Sequence, residues 1–303
     1  MRKKKSEQTK KDRNQKAIIT VIAIAVILVA VIVSYFGVED LKSYPTKQIE
    51  AECVIDTKEY MNRKVFTVNS KQTEASGKVI IYFHGGSYFA PMTDNHWNFI
   101  EDLVNDTGDT VIIPDYPLSP KYNYQDVFKM VVPLYKEILD KNDTKNIIMM
   151  GDSAGGGLAI ALDEKLEEES IEQPIKTVLI SPWLDVSMSN EMIDEVQEND
   201  DILNKEKLKV AGVSYSLGDI NNYLVSPING DLSKLRNITI FTGTYDILNP
   251  DVHILVEKAK NVGVNIEIKE YEKAKHIWLI DNNSGDELYN KGYEELLLQL
   301  KVI

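Results

Sequence analysis

Three residues of this chain could together turn a weak hydroxyl into a nucleophile. Ser153 stands in Gly151-Asp152-Ser153-Ala154-Gly155-Gly156-Gly157, a G-x-S-x-G pattern. The apolar run Ile147-Ile148-Met149-Met150 precedes it and Leu158-Ala159-Ile160-Ala161 follows. That order predicts strand, sharp turn, helix, with Ser153 at the apex. Bulk at Gly151 or Gly155 would collide with neighbouring backbone in such a turn. The helix behind it would aim its N-terminal N–H groups at whatever the hydroxyl attacks.

A serine hydroxyl needs a base at neutral pH. The four histidines are His84, His96, His253 and His276. His276 follows a strand-like run beginning at Ile266, where a loop residue can reach back over the end of a sheet. His253 and His96 fall near helix starts and read as surface residues. The base needs a carboxylate to fix its tautomer and stabilise the imidazolium. Asp246 lies just past the run Ile238-Thr239-Ile240-Phe241 and before a helix. Asp251 is the backup acid, more simply read as a helix cap. The resulting order, Ser153, Asp246, His276, is that of an α/β-hydrolase triad. An oxyanion hole requires backbone N–H donors. Val79-Ile80-Ile81-Tyr82-Phe83 runs into His84-Gly85-Gly86-Ser87, a strand opening on a glycine turn. Gly85, Gly86 and Ser87 with Ala154 form the expected hole: Gly86, Ser87 and Ala154 donate, and Gly85 shapes the loop. His84 is assigned a structural role, pinning that loop.

The elements that must position these residues follow from hydropathy. Short continuous apolar runs at 79–83, 110–113, 147–150, 177–180, 238–241 and 266–268 read as strands buried on both faces. Helical stretches at about 94–106, 123–141, 155–169, 251–262 and 285–300 separate or follow them. The predicted fold class is α/β, a mostly parallel twisted sheet with helices on both faces and a small cap. Residues 63–70 add a further strand. Residues 37–62 show no strong period, and the acid-rich 186–225 stretch has no buried strand, so both are assigned to the cap.

Charge and cysteine content exclude other classes. The formal net charge is −13, yet residues 1–16 carry eight Lys or Arg against two acids, so the remainder sums to −13 − 6 = −19. Such an acidic body repels phosphate backbones, which argues against nucleic-acid binding. The one cysteine, Cys53, cannot form an internal disulfide and reads as a small half-buried apolar residue. With four His, it makes no zinc spacing, and no metal site is expected. Residues 17–36, AIITVIAIAVILVAVIVSYF, are uncharged. A helix of that length spans about 30 Å, the thickness of a bilayer's hydrocarbon. The expected domains are a basic cytoplasmic tail (1–16), a transmembrane anchor in the lipid bilayer (17–36) and an extracellular hydrolase domain (37–303). The alternative is secretion after signal cleavage, but the exit Val33-Ser34-Tyr35-Phe36-Gly37-Val38 lacks a small-x-small site.

Taken together, the motifs resemble the hormone-sensitive-lipase family of α/β-hydrolases, which includes many bacterial carboxylesterases. The matches are H-G-G-S at 84–87, D-Y-P-L-S-P at 115–120, G-D-S-A-G-G at 151–156, S-P-W-L-D at 181–185 and G-T-Y-D-I-L at 243–248, with His276 downstream. The resemblance implies an eight-stranded sheet and hydrolysis of a small-molecule ester without a cofactor. Two departures stand out. Ser87 replaces the last glycine of the family's oxyanion loop. Pro117 and Lys121 replace the Arg and Glu that follow the family's Asp-Tyr, which removes an ion pair the resemblance would imply. The same triad could cleave an amide or peptide, and a relative with a dead site could simply bind a small ligand.

Overall fold

The computed structural model describes residues 40–281 and 286–301; the basic tail 1–16 and the apolar run 17–36 lie outside them. Among the described residues no helix is long and apolar enough to cross a membrane.

The apolar runs pair into one eight-stranded sheet. Its strands are β1 (Cys53–Tyr60), β2 (Arg63–Ser70), β3 (Val79–Phe83), β4 (Thr110–Pro114), β5 (Ile147–Asp152), β6 (Lys176–Ile180), β7 (Ile238–Tyr245) and β8 (Ile266–Lys275). They lie in the order β1-β2-β4-β3-β5-β6-β7-β8. The β1–β2 and β2–β4 pairs are antiparallel; the others are parallel. In register, Phe83 lies opposite Gly151, and Asp152 opposite Ile180, so the strand ends that carry the motifs share one edge.

Strand geometry sends successive side chains to opposite faces. Val79, Ile81, Phe83, Ile147 and Met149 enter one core; Ile80, Tyr82, Ile148 and Met150 enter the other. The second core is covered by α1 (Lys47–Glu52), α2 (Asp94–Thr107) and, at the end of the chain, a helix at Glu287–Lys301. The first is covered by α3 (Tyr124–Leu139), α4 (Ser153–Glu168) and α7 (Asn249–Asn261). The helix at Glu287–Lys301 is α8. The layered α/β arrangement expected from the alternation of runs is therefore present.

The region 37–62 differs from the expectation. Rather than cap alone, it supplies α1 and the edge strand β1. β1 and β2 form a hairpin in which Tyr60 faces Arg63 across Met61 and Asn62, both at positive φ (52° and 62°). Two left-handed residues give the tight turn whose twist matches paired strands. The 186–225 segment contains no sheet strand and carries two helices, α5 (Met192–Val196) and α6 (Lys205–Ser216).

Candidate active site

β5 ends at Asp152 and α4 begins at Ser153 without a linker. The reversal is made at Ser153 itself, at φ 51°. A left-handed conformation costs a residue with a Cβ about 1–2 kcal/mol, so the surroundings must hold it. They do so by close approach. A Cβ at Gly151 would lie 2.4 Å from the Gly155 carbonyl oxygen, and one at Gly155 would lie 2.0 Å from that of Phe83. The glycines thus let α4 start directly against the ends of β5 and β3.

His276 follows β8 directly. Its Nε2 is 2.9 Å from Ser153 Oγ, and its Nδ1 is 2.8 Å from Asp246 Oδ2. Asp246 follows β7, and its Oδ1 accepts the Leu248 N–H at 2.8 Å. All three side chains are buried. Nδ1–H donation to the carboxylate leaves Nε2 as the acceptor facing the serine hydroxyl. Burial disfavours a charged His276, but the Asp246 carboxylate and its hydrogen bond, with Asp200 and Asp152 beyond, outweigh it and raise the imidazole above its ordinary pKa. The arrangement can accept a proton from Ser153 and hold it.

The loop after β3 is a closed turn: the N–H groups of Phe89 and Ala90 both donate to the Gly86 carbonyl at 2.9 Å. Gly86 takes φ 108°, open to glycine, and Ser87 and Tyr88 follow in the left-handed region at 56° and 59°. At Tyr88 packing offsets the local cost. Tyr88 is wholly buried, stacked on Tyr215 of α6 (ring centroids 3.7 Å, 5°) and on Trp183 (5.8 Å, 26°). Ala154, second in α4, has an N–H that the helix itself leaves unpaired. The Gly85 N–H is committed to Asp152 Oδ1 at 2.9 Å, which ties the loop to the end of β5.

Asp152 ties this loop to the nucleophile's turn. Besides Gly85, its Oδ1 accepts the Tyr82 hydroxyl at 2.6 Å, and its Oδ2 faces His96 Nε2 at 3.3 Å. Burial works against its charge, yet the His96 ring and the Tyr82 hydroxyl hold it below the usual carboxylate range. His96 is buried, not a surface residue as its place near a helix start suggested. Its Nδ1 accepts the Thr93 N–H at 3.1 Å, which leaves Nε2–H as the donor to Asp152.

His84 donates through Nδ1 to the Gly85 carbonyl at 2.6 Å and stacks on Tyr116 at 4.5 Å. Burial, and then His96, push its pKa down to about 4. It is thus a neutral part of the loop. Arg63 is buried against Asp115: its Nη2 lies 3.0 Å from Asp115 Oδ2, and its Nε donates to the Asp115 carbonyl at 2.7 Å. His253 lies at the surface against Glu270, 2.6 Å away. Asp251 sits within α7 rather than at its cap, hydrogen-bonded to Asn190. Cys53 is buried, its thiol pushed up to about 11 by burial.

A sequence profile of a family described as alpha/beta hydrolase fold matches residues 80–280. An esterase of Acinetobacter venetianus is 31% identical over 204 residues, 66% of this chain and 67% of that one. Among solved structures, a putative esterase from Staphylococcus aureus superposes with a TM-score of 0.79 at 24% identity, over 86% of each chain. An esterase from the bacterial hormone-sensitive lipase family does so with 0.75 at 22% identity, over 86% of this chain and 85% of that one. The spacing of the motifs, the sheet order and these likenesses agree: the chain belongs to the α/β-hydrolase family.

Proposed function

We propose that the chain is a carboxylic-ester hydrolase that works through an acyl-enzyme on Ser153. The observation that carries this reading is the unbroken hydrogen-bond line from Ser153 Oγ through His276 to Asp246, at 2.9 and 2.8 Å. The esterase relative from Acinetobacter venetianus supports an ester over an amide as the bond attacked. His276 Nε2 takes the hydroxyl proton as Oγ bonds to the ester carbonyl carbon. The carbonyl oxygen becomes negative and is received by the N–H groups of Gly86, Ser87 and Ala154, each such donor being worth about 10²–10³ in rate. The imidazolium then gives its proton to the leaving alcohol as the C–O bond breaks, and the acyl group stays on Ser153. Water, deprotonated by the same nitrogen, attacks that acyl group, and the acid leaves as Oγ recovers its proton. Asp246 keeps Nδ1 protonated and stabilises the imidazolium in both halves.

The apolar run 17–36, with its basic flank at 1–16, is proposed to anchor the enzyme in the membrane with the catalytic domain outside the cell. That topology would place the site near envelope or membrane-borne esters. The test of the chemistry is the rate of p-nitrophenyl acetate hydrolysis by the full chain in detergent. Ser153→Ala should lower kcat by about 10⁴ or more, since the residual rate would come from binding and the oxyanion donors alone. Native turnover in that variant would exclude the mechanism.

A further inference from the structure

The 186–225 segment, which carries α5 and α6, also reaches the catalytic loops. Between its two helices, Asp200 is buried and reaches the loop that carries the acid. Its Oδ2 accepts the Ile247 N–H at 2.9 Å, while its Oδ1 accepts the N–H groups of Ile202 and Leu203 at 2.9 and 2.8 Å. Gln197 braces this turn: its Nε2 donates to the carbonyls of Asp200 and Leu203, and its Oε1 accepts the Lys205 N–H. Ile247 lies between Asp246 and Leu248, the residue whose N–H Asp246 Oδ1 accepts. Two carboxylates therefore take successive N–H groups of one tight turn. One belongs to the acid itself, and the other comes from a segment 47 residues earlier in the chain.

We propose that Asp200 is a positioning residue for the Asp246–His276 pair, by which the insertion holds the acid loop in its working geometry. The proposal deepens the serine-hydrolase reading and rests on it. A charged acceptor makes a stronger hydrogen bond than a neutral one, so this link is stiff. It also fixes the peptide next to the carboxylate that must meet His276 Nδ1. Small displacements of such a group are costly, because catalytic gain depends on near-attack geometry.

The charge of Asp200 acts on His276 as well. The titratable groups around that imidazole are Asp246 after β7, Asp152 at the end of β5 and Asp200 from the insertion. At the rim, Lys275 pairs with Asp201 at 2.8 Å, but both side chains are solvent-exposed, and water screens them. Asp200 therefore adds to the field that favours the imidazolium. A substitution that removes the charge should lower the pH at which the base becomes active.

The discriminating variant is Asp200→Asn in the full chain. One oxygen can serve Ile202 and Leu203, or Ile247, but not both sets, and the amide NH₂ must oppose a donor. The readouts are kcat and KM on p-nitrophenyl acetate and the rate of Ser153 labelling by a fluorophosphonate, each across pH, beside the melting temperature. We expect kcat and the labelling rate to fall about 10-fold or more with KM little changed. The acid limb of both profiles should move to lower pH. Asp201→Asn, at the exposed rim, should change neither. If Asp200→Asn does not fold, Gln197→Ala loosens the same turn while sparing the carboxylate. It should slow labelling several-fold and speed hydrogen exchange at 246–248. Wild-type labelling rates and an unmoved acid limb in Asp200→Asn, or unchanged exchange and labelling in Gln197→Ala, would overturn the proposal. Failure of the ester reading itself looks different. The wild-type chain would then hydrolyse no ester, while the labelling rates would still report on Asp200.

Discussion

Replacing Asp152 by Asn should uncouple the oxyanion loop from the nucleophile's turn without changing side-chain volume. The carboxylate takes three buried donors: Gly85 N–H, Tyr82 O–H and His96 Nε2–H. An asparagine oxygen can keep Gly85 and Tyr82, but its NH₂ would then face the His96 donor. His96 cannot escape by moving its proton to Nδ1, because Nδ1 already accepts the Thr93 N–H. One buried donor is thus left unpaired, at a cost of about 1–3 kcal/mol. For a chain of this size that corresponds to a fall in melting temperature of roughly 2–10 °C. Asp152→Ala strands all three donors and should cost several-fold more, on the order of 3–9 kcal/mol by the same count, enough to threaten the fold. Both variants also remove a negative charge that raises His276, so the acid limb of the pH–rate profile should move down in Asp152→Asn. Thermal melts and pH–rate profiles of the three chains provide the assay. The reasoning fails if Asp152→Ala melts and turns over like the wild type, or if His96→Ala costs as much in the Asp152→Asn background as alone. In the latter case the two side chains would not be coupled.

Further expectations concern the interior, the loop and the membrane. Asp163 and Glu164 are buried on α4; burial raises Asp163 from 3.8 to about 7 and lifts Glu164 well above 4.5. Because the folded chain holds these protons that the unfolded chain releases from about pH 4 upward, their contribution to stability declines as pH rises toward 7 and beyond. Asp163→Asn with Glu164→Gln should flatten that part of the melting-temperature profile between pH 5 and 8, and an unaltered profile would refute it. Ser87 sits at φ 56°, so Ser87→Gly should keep turnover and stabilise the chain by up to about 1 kcal/mol, read by urea titration. A clear loss of turnover would mean that the hydroxyl, and not only the N–H, matters. If the anchor faces as proposed, protease added to intact cells should release the body while sparing the tail, and a protected body would reverse the topology.

The parts of the fold that were legible in the sequence are those governed by local hydropathy. The runs at 79–83 and 147–150 had to be strands because both their faces enter cores, which leaves an uninterrupted apolar signature. Gly151 and Gly155 were legible because only a missing Cβ permits the contacts they make. β1 was not, for a physical reason: as an edge strand it buries little beyond Cys53, so neither alternation nor an apolar run marks it. Its turn, Met61-Asn62, takes two left-handed residues without the glycine that usually signals them. The burial of His96 was not legible, because a position in the first turn of a helix does not say which face it occupies. Trp97 and Ile100 beside it belong to the buried face. Asp152, Arg63 and Asp200 act through partners 52 to 70 residues away or, for Asp200, 47, and no local pattern announces such pairings.

The central claim, that Ser153 is the nucleophile and His276 its base, is tested most directly by mapping the adduct a fluorophosphonate leaves on the full chain. Peptide mass spectrometry should place one adduct on Ser153, formed with a rate that rises through the pKa of His276, lost in Ser153→Ala and strongly slowed in His276→Ala. An adduct on another residue, or undiminished labelling in His276→Ala, would contradict it.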